Sequence, residues 1–371
     1  MEANELHKQH FDVWLLFVAI ALVVIGVTMV YSSSGVLALE RYGDSYYYLK
    51  RTVFFALLGF CGIALLLRFP YVRLRRWIYP ILIGTLGLVL LVFIPGVGRT
   101  IGGATRWVNV GLFAFQPSEM MKIALILYLA YSLEKKGERV HRFSVGILPH
   151  LLVLAVVGAA ILAQRDFGSV ALLAMITWLM LFAAGAKPRY LYGFLGAVIL
   201  AGTALILGSP YRRERVFAFL NPWSDQYGSG FQMIQSLVAF NEGGWFGQGL
   251  GEGRQKLFYL PEARTDFILS VVGEELGLLG VLTVILLFVI FCYRGFRIAL
   301  NAPDAFGRLM TFGCTVLVGV QSLLNMGVVM GLLPTKGLTL PFMSYGGSSL
   351  AMSLVAVGLM LNVSSYRKGY E

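Results

Sequence analysis

The run VWLLFVAIALVVIGVTMVY, residues 13–31, carries no charged side chain and is long enough to cross a lipid bilayer. A membrane-spanning helix needs about 17–25 predominantly apolar residues, because a helix rises only ~1.5 Å per residue through a hydrocarbon core about 30 Å thick. The SSSG segment at 32–35 resembles a signal-peptide cleavage zone, but the run is longer than a signal peptide's apolar region. It therefore predicts an uncleaved first transmembrane helix.

Similar apolar runs recur to the end of the chain and predict an all-α membrane protein with ten transmembrane helices. The predicted spans are 13–31, 52–68, 77–95, 119–133, 146–163, 168–186, 190–208, 267–292, 307–331 and 343–363. Only QRD at 164–166 separates the fifth span from the sixth. Residues 1–371 are predicted to form one membrane domain, with residues 209–265 as a large loop outside the cytoplasm.

The composition supports lipid as the solvent for most of this chain. Of its 371 residues, 58% are hydrophobic and 13% are charged, whereas soluble domains carry about 25% charged residues. The formal net charge of +11 fits the excess of Lys and Arg on cytoplasmic loops of membrane proteins, so we expect no nucleic-acid partner. The three cysteines lie in apolar runs, and their spacing matches no metal site.

The distribution of basic residues predicts the orientation in the membrane. Alternate loops are rich in Lys and Arg, including the segments at 68–76, 135–142 and 294–308, and such loops face the cytoplasm. Both termini are then cytoplasmic, and we expect a multi-pass protein of the bacterial inner membrane. The long loop at 209–265 faces outward although it contains Arg212, Arg213, Arg215, Arg254, Lys256 and Arg264. An anionic ligand would account for a basic loop on that side.

The long loop has two features beyond its charge. Its segment GGWFGQGLGEG at 243–253 matches neither a dinucleotide-binding nor a P-loop fingerprint, and the alternatives are a functional loop and a flexible connector. Residues 231–240 predict a short amphipathic helix on the membrane surface.

Asp266 lies where the loop ends and the eighth span begins, and two interpretations stay open. A carboxylate at a helix N-terminus can cap the helix. It can also act as a general base at the outer membrane edge, with Arg264 nearby. The two roles do not exclude one another.

Other polar residues near the predicted outer face extend this candidate site. Glu119 and Lys122 lie three residues apart on one helical face, which favours either a structural ion pair or a polar cavity wall. Glu274 and Glu275 point in different directions, and at least one is expected to make a structural hydrogen bond. Ser344 lies in a Gly- and Ser-rich segment that either packs closely or lines a cavity. Further ionisable candidates predicted near this face are Arg51, Arg106, Asp166, Arg212 and Lys336.

Seven segments in family order, covering nearly the whole chain, resemble the shape, elongation, division and sporulation (SEDS) family. They are ATRWV at 104–108, FQPSE at 115–119, DFGS at 166–169, GGWFGQGLGEG at 243–253, KLFYLPEARTDF at 256–267, GEELG at 273–277 and LPFMSYGGSS at 340–349. The forms KLFYLPE at 256–262 and LPTKGLTLP at 333–341 resemble the division members more than the elongation members.

The resemblance implies ten spans, a cavity facing the periplasm, and peptidoglycan glycosyltransferase activity in septal cell-wall synthesis. The expected substrate is lipid II, which would be polymerised into glycan strands with release of undecaprenyl pyrophosphate. A class B penicillin-binding protein and other divisome proteins are the expected partners. The family's essential aspartate falls on Asp266, its loop tryptophan on Trp107, and the conserved glutamate and lysine of its fourth span on Glu119 and Lys122. Where relatives often carry histidine, this chain has Arg264, which stays protonated and suits a phosphate contact better than proton transfer.

A direct displacement is the mechanism expected from this resemblance. Asp266 would deprotonate the acceptor hydroxyl, and cations would stabilise the pyrophosphate leaving group. Mg²⁺ or another divalent cation held by Asp266 or Glu119 is a further expectation, although the sequence contains no dedicated metal motif. Two other classes stay open, namely a lipid II flippase and a non-catalytic division scaffold. The candidate cations are Arg51, Arg106, Lys122, Arg212, Arg264 and Lys336.

Overall fold

The structure is a computed structural model, and it describes residues 6–8, 10–101, 104–110, 113–228, 230–256, 260–335 and 337–368. Within these ranges most of the chain is helical. The helices are α1 (Val13–Tyr42), α2 (Tyr47–Arg68), α3 (Ile78–Leu91), α4 (Pro117–Lys136), α5 (Leu148–Ala163), α6 (Phe167–Ala183), α7 (Pro188–Leu207), α8 (Pro210–Leu220), α9 (Phe231–Gly243), α10 (Ile268–Leu300), α11 (Ala305–Val329) and α12 (Gly347–Ser364).

Two small antiparallel sheets mark the two ends of the helical bundle. At one end, here named the terminal end, β1 (Leu6–Lys8) pairs with β5 (Tyr366–Lys368), so the first and last described strands lie on the same side of the bundle, as the sequence predicts. The opposite, or loop, end carries β2 (Gly98–Ile101), β3 (Ala104–Val110) and β4 (Phe113–Phe115).

Each predicted span corresponds to a helix, and the predicted all-α fold is confirmed. In the described part of the chain, eight helices are long and apolar enough to cross a membrane: α1, α2, α3 and α5 with their preceding turns, α7, α10, α11 and α12. The other two predicted spans fall on α4, which carries charged residues, and on α6, which has 17 residues. The count of ten therefore stays a prediction.

The helices divide into a buried core and a periphery. In the most apolar 18-residue stretch of each helix, 78% of the residues of α12 and 67% of those of α11 are buried within the protein, against 11% for α7, so α7 presents most of its apolar surface outward. Tyr192 and Leu200 on α7 are 70% and 74% exposed. Apolar side chains in such numbers on an outer surface are expected where lipid is the solvent.

Two polar contacts indicate how the bundle spans a bilayer. Near the terminal end, Asp12 forms an ion pair with Arg294, and near the loop end the Ser32 hydroxyl donates to Glu275 at 2.7 Å. About twenty residues of α1 and of α10 lie between these contacts, which is ~30 Å of helix and matches the hydrocarbon core.

Helix α10 is interrupted at Gly277, and the Gly-rich run fills the break. Gly277 has φ 67° and ψ −165°, a conformation that is essentially restricted to glycine. The backbone N–H groups of Gln248 and Gly249 donate to the carbonyls of Glu274 and Glu275, each at 3.0 Å, and Leu278 N–H donates to Gly244 at 2.9 Å. The run therefore satisfies the backbone groups that the break exposes, which disfavours the flexible-connector interpretation.

The two glutamates before the break hold the Gly-rich run and the three residues that follow it, and Glu275 accepts a hydrogen bond of 3.1 Å from the Gly251 backbone N–H of the run. Glu274 accepts hydrogen bonds from the backbone N–H groups of Arg254 and Gln255, and Glu275 forms an ion pair of 2.6 Å with Lys256. The expected structural hydrogen bond is thus present at both glutamates.

The predicted helix at 231–240 is present as α9, and its predicted place on the membrane surface stays a prediction. Its buried face, which includes Met233 and Ala239, packs against α10, and its Ser236 hydroxyl lies 2.7 Å from the Ser270 hydroxyl and donates to the Val329 carbonyl at 2.6 Å. The helix is therefore part of the bundle.

Candidate functional site

A cavity of about 470 Å³ opens at the loop end of the bundle and is here named the main cavity. Strand β3, the N-terminus of α6, helix α8, the segment before α10 and the segment before α12 all contribute to its wall. Five residues that the sequence predicts for the site line it together: Asp266, Arg106, Trp107, Asp166 and Arg212.

Asp266 is held by its backbone while its carboxylate stays available to the cavity. The Asn325 side chain donates to the Asp266 carbonyl at 2.8 Å and to the Leu338 carbonyl at 2.7 Å, which fixes the two neighbouring segments. A side chain added at Gly337 would lie 3.4 Å from Asp266 Oδ2, so Gly337 leaves room beside the carboxylate. Helix α10 is preceded by Phe267 and has no side-chain cap, so the capping interpretation of Asp266 is not observed.

The surroundings of Asp266 shift its protonation into the neutral range. Protein atoms enclose the carboxylate although part of its surface faces the cavity, and this burial raises the pKa of Asp266 to about 7. The negative charge of Glu262 raises the pKa further, while Arg215 and Arg106 oppose the shift. A carboxylate with such a pKa can accept a proton near neutral pH.

Four arginines line the main cavity, and three of them also fix its wall. Arg106 donates to the Arg165 carbonyl at 2.6 Å, which holds the turn between α5 and α6. Arg212 donates to the Leu205 carbonyl at 2.8 Å, and Arg215, one turn later on α8, donates to the Thr335 carbonyl at 3.3 Å. This concentration of positive charge suits an anionic ligand.

Asp166 lines the cavity but also has a structural task. Its carboxylate accepts hydrogen bonds from the Ser169 backbone N–H at 3.1 Å and the Ser169 hydroxyl at 2.7 Å, which caps the N-terminus of α6. Gln116 donates to the same carboxylate at 3.4 Å.

Glu119 and Lys122 lie behind the cavity wall and not in it. They form an ion pair of 2.8 Å in which both side chains are buried, as one of the two sequence interpretations expects. Lys122 also donates to Gln321, which in turn reaches Thr339, a residue that lines the cavity.

Arg51 and Arg264 support the cavity through Tyr345, which is part of its wall. The Arg51 guanidinium interacts with the Tyr345 hydroxyl, and the Arg264 carbonyl accepts a hydrogen bond of 2.8 Å from the Tyr345 backbone N–H. The Arg264 guanidinium lies 4.5 Å from the ring centre of Tyr48.

Two further predicted residues do not line the main cavity as described. Ser344 is buried, and its hydroxyl accepts a hydrogen bond of 2.8 Å from the Leu340 backbone N–H, which stabilises a turn beneath the wall. Lys336 lies outside the described residues.

The main cavity also contains residues that the candidate set did not include. Arg165 and Glu262 both adopt positive φ values, 61° and 56°, that are uncommon for residues other than glycine and often occur at functional sites. Arg215 could have been found from the sequence, since it follows Arg212 by one helical turn. Arg165 and Glu262 could not have been found in this way, because neither arginine nor glutamate is a residue type that predicts a positive φ.

Comparison with known proteins places this arrangement in a family. The profile of the family described as "Cell cycle protein", which covers FtsW, RodA and SpoVE, matches residues 13–369. The chain is 51% identical to the probable peptidoglycan glycosyltransferase FtsW of Geobacter metallireducens, over 97% of this chain and 96% of the relative. It is 43% identical to the stage V sporulation protein E of Bacillus subtilis, over 96% and 98%.

Solved structures show the same fold. A chain from a peptidoglycan synthase complex that coordinates polymerization and crosslinking superposes with a TM-score of 0.77 at 33% identity, covering 95% of this chain and 97% of that one. RodA of Thermus thermophilus superposes with a TM-score of 0.70 at 29% identity, covering 95% and 96%. The chain therefore belongs to the SEDS family of FtsW, RodA and SpoVE.

Proposed function

We propose that this protein is a peptidoglycan glycosyltransferase that polymerises lipid II into glycan strands and releases undecaprenyl pyrophosphate during septal cell-wall synthesis. The identity of 51% to a protein named probable peptidoglycan glycosyltransferase FtsW supports the activity and the division role. The observation that carries the proposal in this chain is the Asp266 carboxylate, with a pKa of about 7, in a cavity lined by four arginines.

Asp266 acts as the general base in the proposed reaction. It accepts the proton of the 4-hydroxyl group of the acceptor GlcNAc, and that oxygen attacks C1 of the donor MurNAc. The bond from C1 to the pyrophosphate oxygen breaks, and undecaprenyl pyrophosphate leaves with the bonding electron pair. A single displacement inverts the anomeric centre, so an α-linked donor gives a β-linked strand.

The arginines of the main cavity stabilise the leaving group. Negative charge grows on the pyrophosphate as the bond breaks, and fixed cations in a partly dry cavity stabilise that charge more than water does. Arg106, Arg212 and Arg215 are the cations proposed for this role. Lys122 is already paired with Glu119 behind the wall and is not assigned a direct contact.

The depth of the cavity suits a substrate with a polyprenyl tail. Gly26 of α1 packs directly beneath the backbone of Phe342 and Met343, because a side chain there would lie 2.5 Å from Met343 Cα. Gly26 lies fourteen residues above Asp12, or ~20 Å along α1 from the contact at the terminal end. This distance supports a position of the segment in the leaflet nearer the loop end, and in the proposed complex the tail stays in lipid there while the sugar reaches water.

No step of the proposed glycosyl transfer requires a metal ion. Among the described residues, no group of three or more His, Cys, Asp and Glu side chains is placed to hold one, and Glu119 is occupied by Lys122. A Mg²⁺ ion bound by Asp266 together with substrate phosphates remains a proposal, since Mg²⁺ commonly uses one or two carboxylates and phosphate oxygens. Activity after chelation with EDTA and back-titration with Mg²⁺ measures that dependence.

The proposed partner is a class B penicillin-binding protein that crosslinks the strands, with other divisome proteins around it. The solved relative within a peptidoglycan synthase complex supports such a pairing. The proposed location is the inner membrane at the division septum, with the adjacent termini in the cytoplasm and the main cavity facing outward.

Polymerisation of purified lipid II in detergent tests the proposed function. The wild type with its class B partner should form glycan strands, and Asp266→Asn should lose about 10²–10⁴-fold in rate because the base is gone. Glu252→Gln is the matched control, since Glu252 is an exposed carboxylate of the same loop that does not line the main cavity. Detergent has no second compartment, so a flippase would give no signal, and normal strands from Asp266→Asn would overturn the mechanism.

A further inference from the structure

A second cavity of about 260 Å³ adjoins the main cavity and is here named the side cavity. Helix α8, the turn before α9 and the first residues of α9 form most of its wall. Arg215 and Thr335 line both cavities, so the two spaces share one wall. The other lining residues that matter here are Glu214, Tyr227, Phe231 and Gln232.

The side chains of this wall have the chemistry that recognises a sugar ring. A pyranose has an apolar face of C–H bonds, which suits contact with an aromatic ring, and hydroxyl groups around its edge, which need donors and acceptors. Tyr227 and Phe231 supply rings, while Glu214, Arg215 and Gln232 supply a carboxylate, a guanidinium and an amide.

The size of the side cavity indicates a part of a longer ligand. Sites for whole small molecules usually measure about 300–1,000 Å³. The main cavity, at about 470 Å³, falls within that range, whereas the side cavity, at about 260 Å³, is smaller. A polysaccharide with one sugar unit in the main cavity and the next in the side cavity fits these two volumes.

Tyr227 is presented by a fixed turn although its side chain is 88% exposed. The Gly228 and Gly230 backbone N–H groups both donate to the Asp225 carbonyl, at 3.2 and 3.1 Å. A side chain at Gly230 would lie 2.1 Å from the Pro222 carbonyl oxygen, so this close turn requires glycine. The turn therefore holds the Tyr227 ring at the wall of the side cavity with its face free to pack against a ligand.

We propose that the side cavity binds a saccharide unit of the growing glycan strand, next to the unit that reacts at Asp266. The inference rests on the proposed function and adds a subsite to it. Holding this unit keeps the strand attached between successive additions, so the subsite determines strand length. Apart from Arg215, which lines both cavities, its residues take no part in the bond-forming step.

Strand length under dilute-enzyme conditions tests the subsite, with the class B partner present in every arm. Tyr227→Ala should leave the rate of the first coupling within about twofold, while the mean strand length on a gel falls about three- to tenfold, as expected from losing one ring contact. Trp223→Ala is the matched control, because Trp223 is a neighbouring aromatic residue that is 62% exposed and lines neither cavity. Unchanged strand length in Tyr227→Ala, or equal shortening in Trp223→Ala, overturns the proposal.

A binding measurement separates this inference from the proposed function, because it needs no turnover. Saturation-transfer NMR with a peptide-free glycan hexasaccharide should show contact with the wild-type protein alone, and about three- to tenfold weaker binding to Tyr227→Ala. Binding of a free stem pentapeptide in place of the hexasaccharide would overturn the sugar assignment. Shorter strands without any change in hexasaccharide binding would assign the surface to the partner protein. A wild type that binds the hexasaccharide but forms no polymer would count against the proposed function and leave the subsite standing.

Discussion

Lys122 donates a hydrogen bond of 2.9 Å to the side-chain oxygen of Gln321, and this contact connects a buried ion pair to the main cavity. Gln321 donates to the Thr339 carbonyl at 2.9 Å, and the hydroxyl groups of Thr339 and Ser349 are 2.9 Å apart. Thr339 and Ser349 line the cavity, whereas Glu119 and Lys122 do not. The ion pair therefore acts on the site by positioning its wall.

Removing Lys122 alone should destabilise the protein strongly. Lys122→Met leaves the Glu119 carboxylate buried without its counter-charge, and losing one partner of a buried ion pair costs about 3–5 kcal/mol. Replacing both residues, as Glu119→Gln with Lys122→Met, should restore most of that loss because no uncompensated charge remains. Thermal unfolding in detergent measures both variants, and equal melting temperatures for the single and double variants would show that the unpaired Glu119 charge is not the cause of the loss.

The pH dependence of activity should follow the Asp266 carboxylate. A general base must be deprotonated, so kcat/KM should rise with pH and reach half of its plateau near pH 7. Glu262→Gln removes a negative charge that raises the pKa of Asp266, so its half-plateau should move to lower pH. Arg215→Gln removes a cation that lowers the same pKa, so its half-plateau should move to higher pH. Shifts in one common direction would assign the titration to another group.

Stability should also depend on the Asp266 charge. Its pKa is 3.8 when unperturbed and about 7 in the fold, so the native state binds more protons than the unfolded state between these values. The fold therefore loses stability as pH rises from about 4 to 7, and the penalty stays constant above 7. Asp266→Asn removes it and should stabilise the protein by about 1–3 kcal/mol at pH 8, and by less at pH 5. A melting-temperature gain that is equal at both pH values would contradict this origin.

The sequence predicts the helices well because lipid requires long apolar runs. The predicted span 119–133 is observed as α4 (Pro117–Lys136), and 267–292 begins one residue before α10 (Ile268–Leu300). It also predicts that Asp266 and Arg106 meet, since both lie near one membrane face. The end of α1 is missed, because Ser32 to Ser34 look like a boundary while the helix continues to Tyr42.

The break in α10 could not be predicted from the same information. A single glycine such as Gly277 within an apolar run is compatible with an uninterrupted helix, and only the position of the Gly-rich run shows that the helix opens there. Likewise, the spacing of Glu119 and Lys122 predicts their ion pair but gives no indication of Gln321, which is distant in the chain. The helix break and the contact with Gln321 both depend on segments that are far apart in the chain, and the residue types of one segment do not show which other segment it meets.

Gly277→Ala should disrupt the junction between α10 and the Gly-rich run. The backbone conformation of Gly277, which is essentially restricted to glycine, costs about 1–3 kcal/mol for a residue with a side chain, and the added Cβ would lie 2.4 Å from the Gly247 nitrogen. The helix must then shift or straighten, which releases Glu274 and Glu275 from the loop and moves Asp266 relative to Arg215. We expect a lower melting temperature together with a loss of polymerisation. Gly202→Ala on α7 is the control, because a side chain there meets no atom within 4 Å and alanine favours the helix. A Gly277→Ala protein with wild-type stability and activity would show that the break is dispensable for holding Asp266 in the cavity.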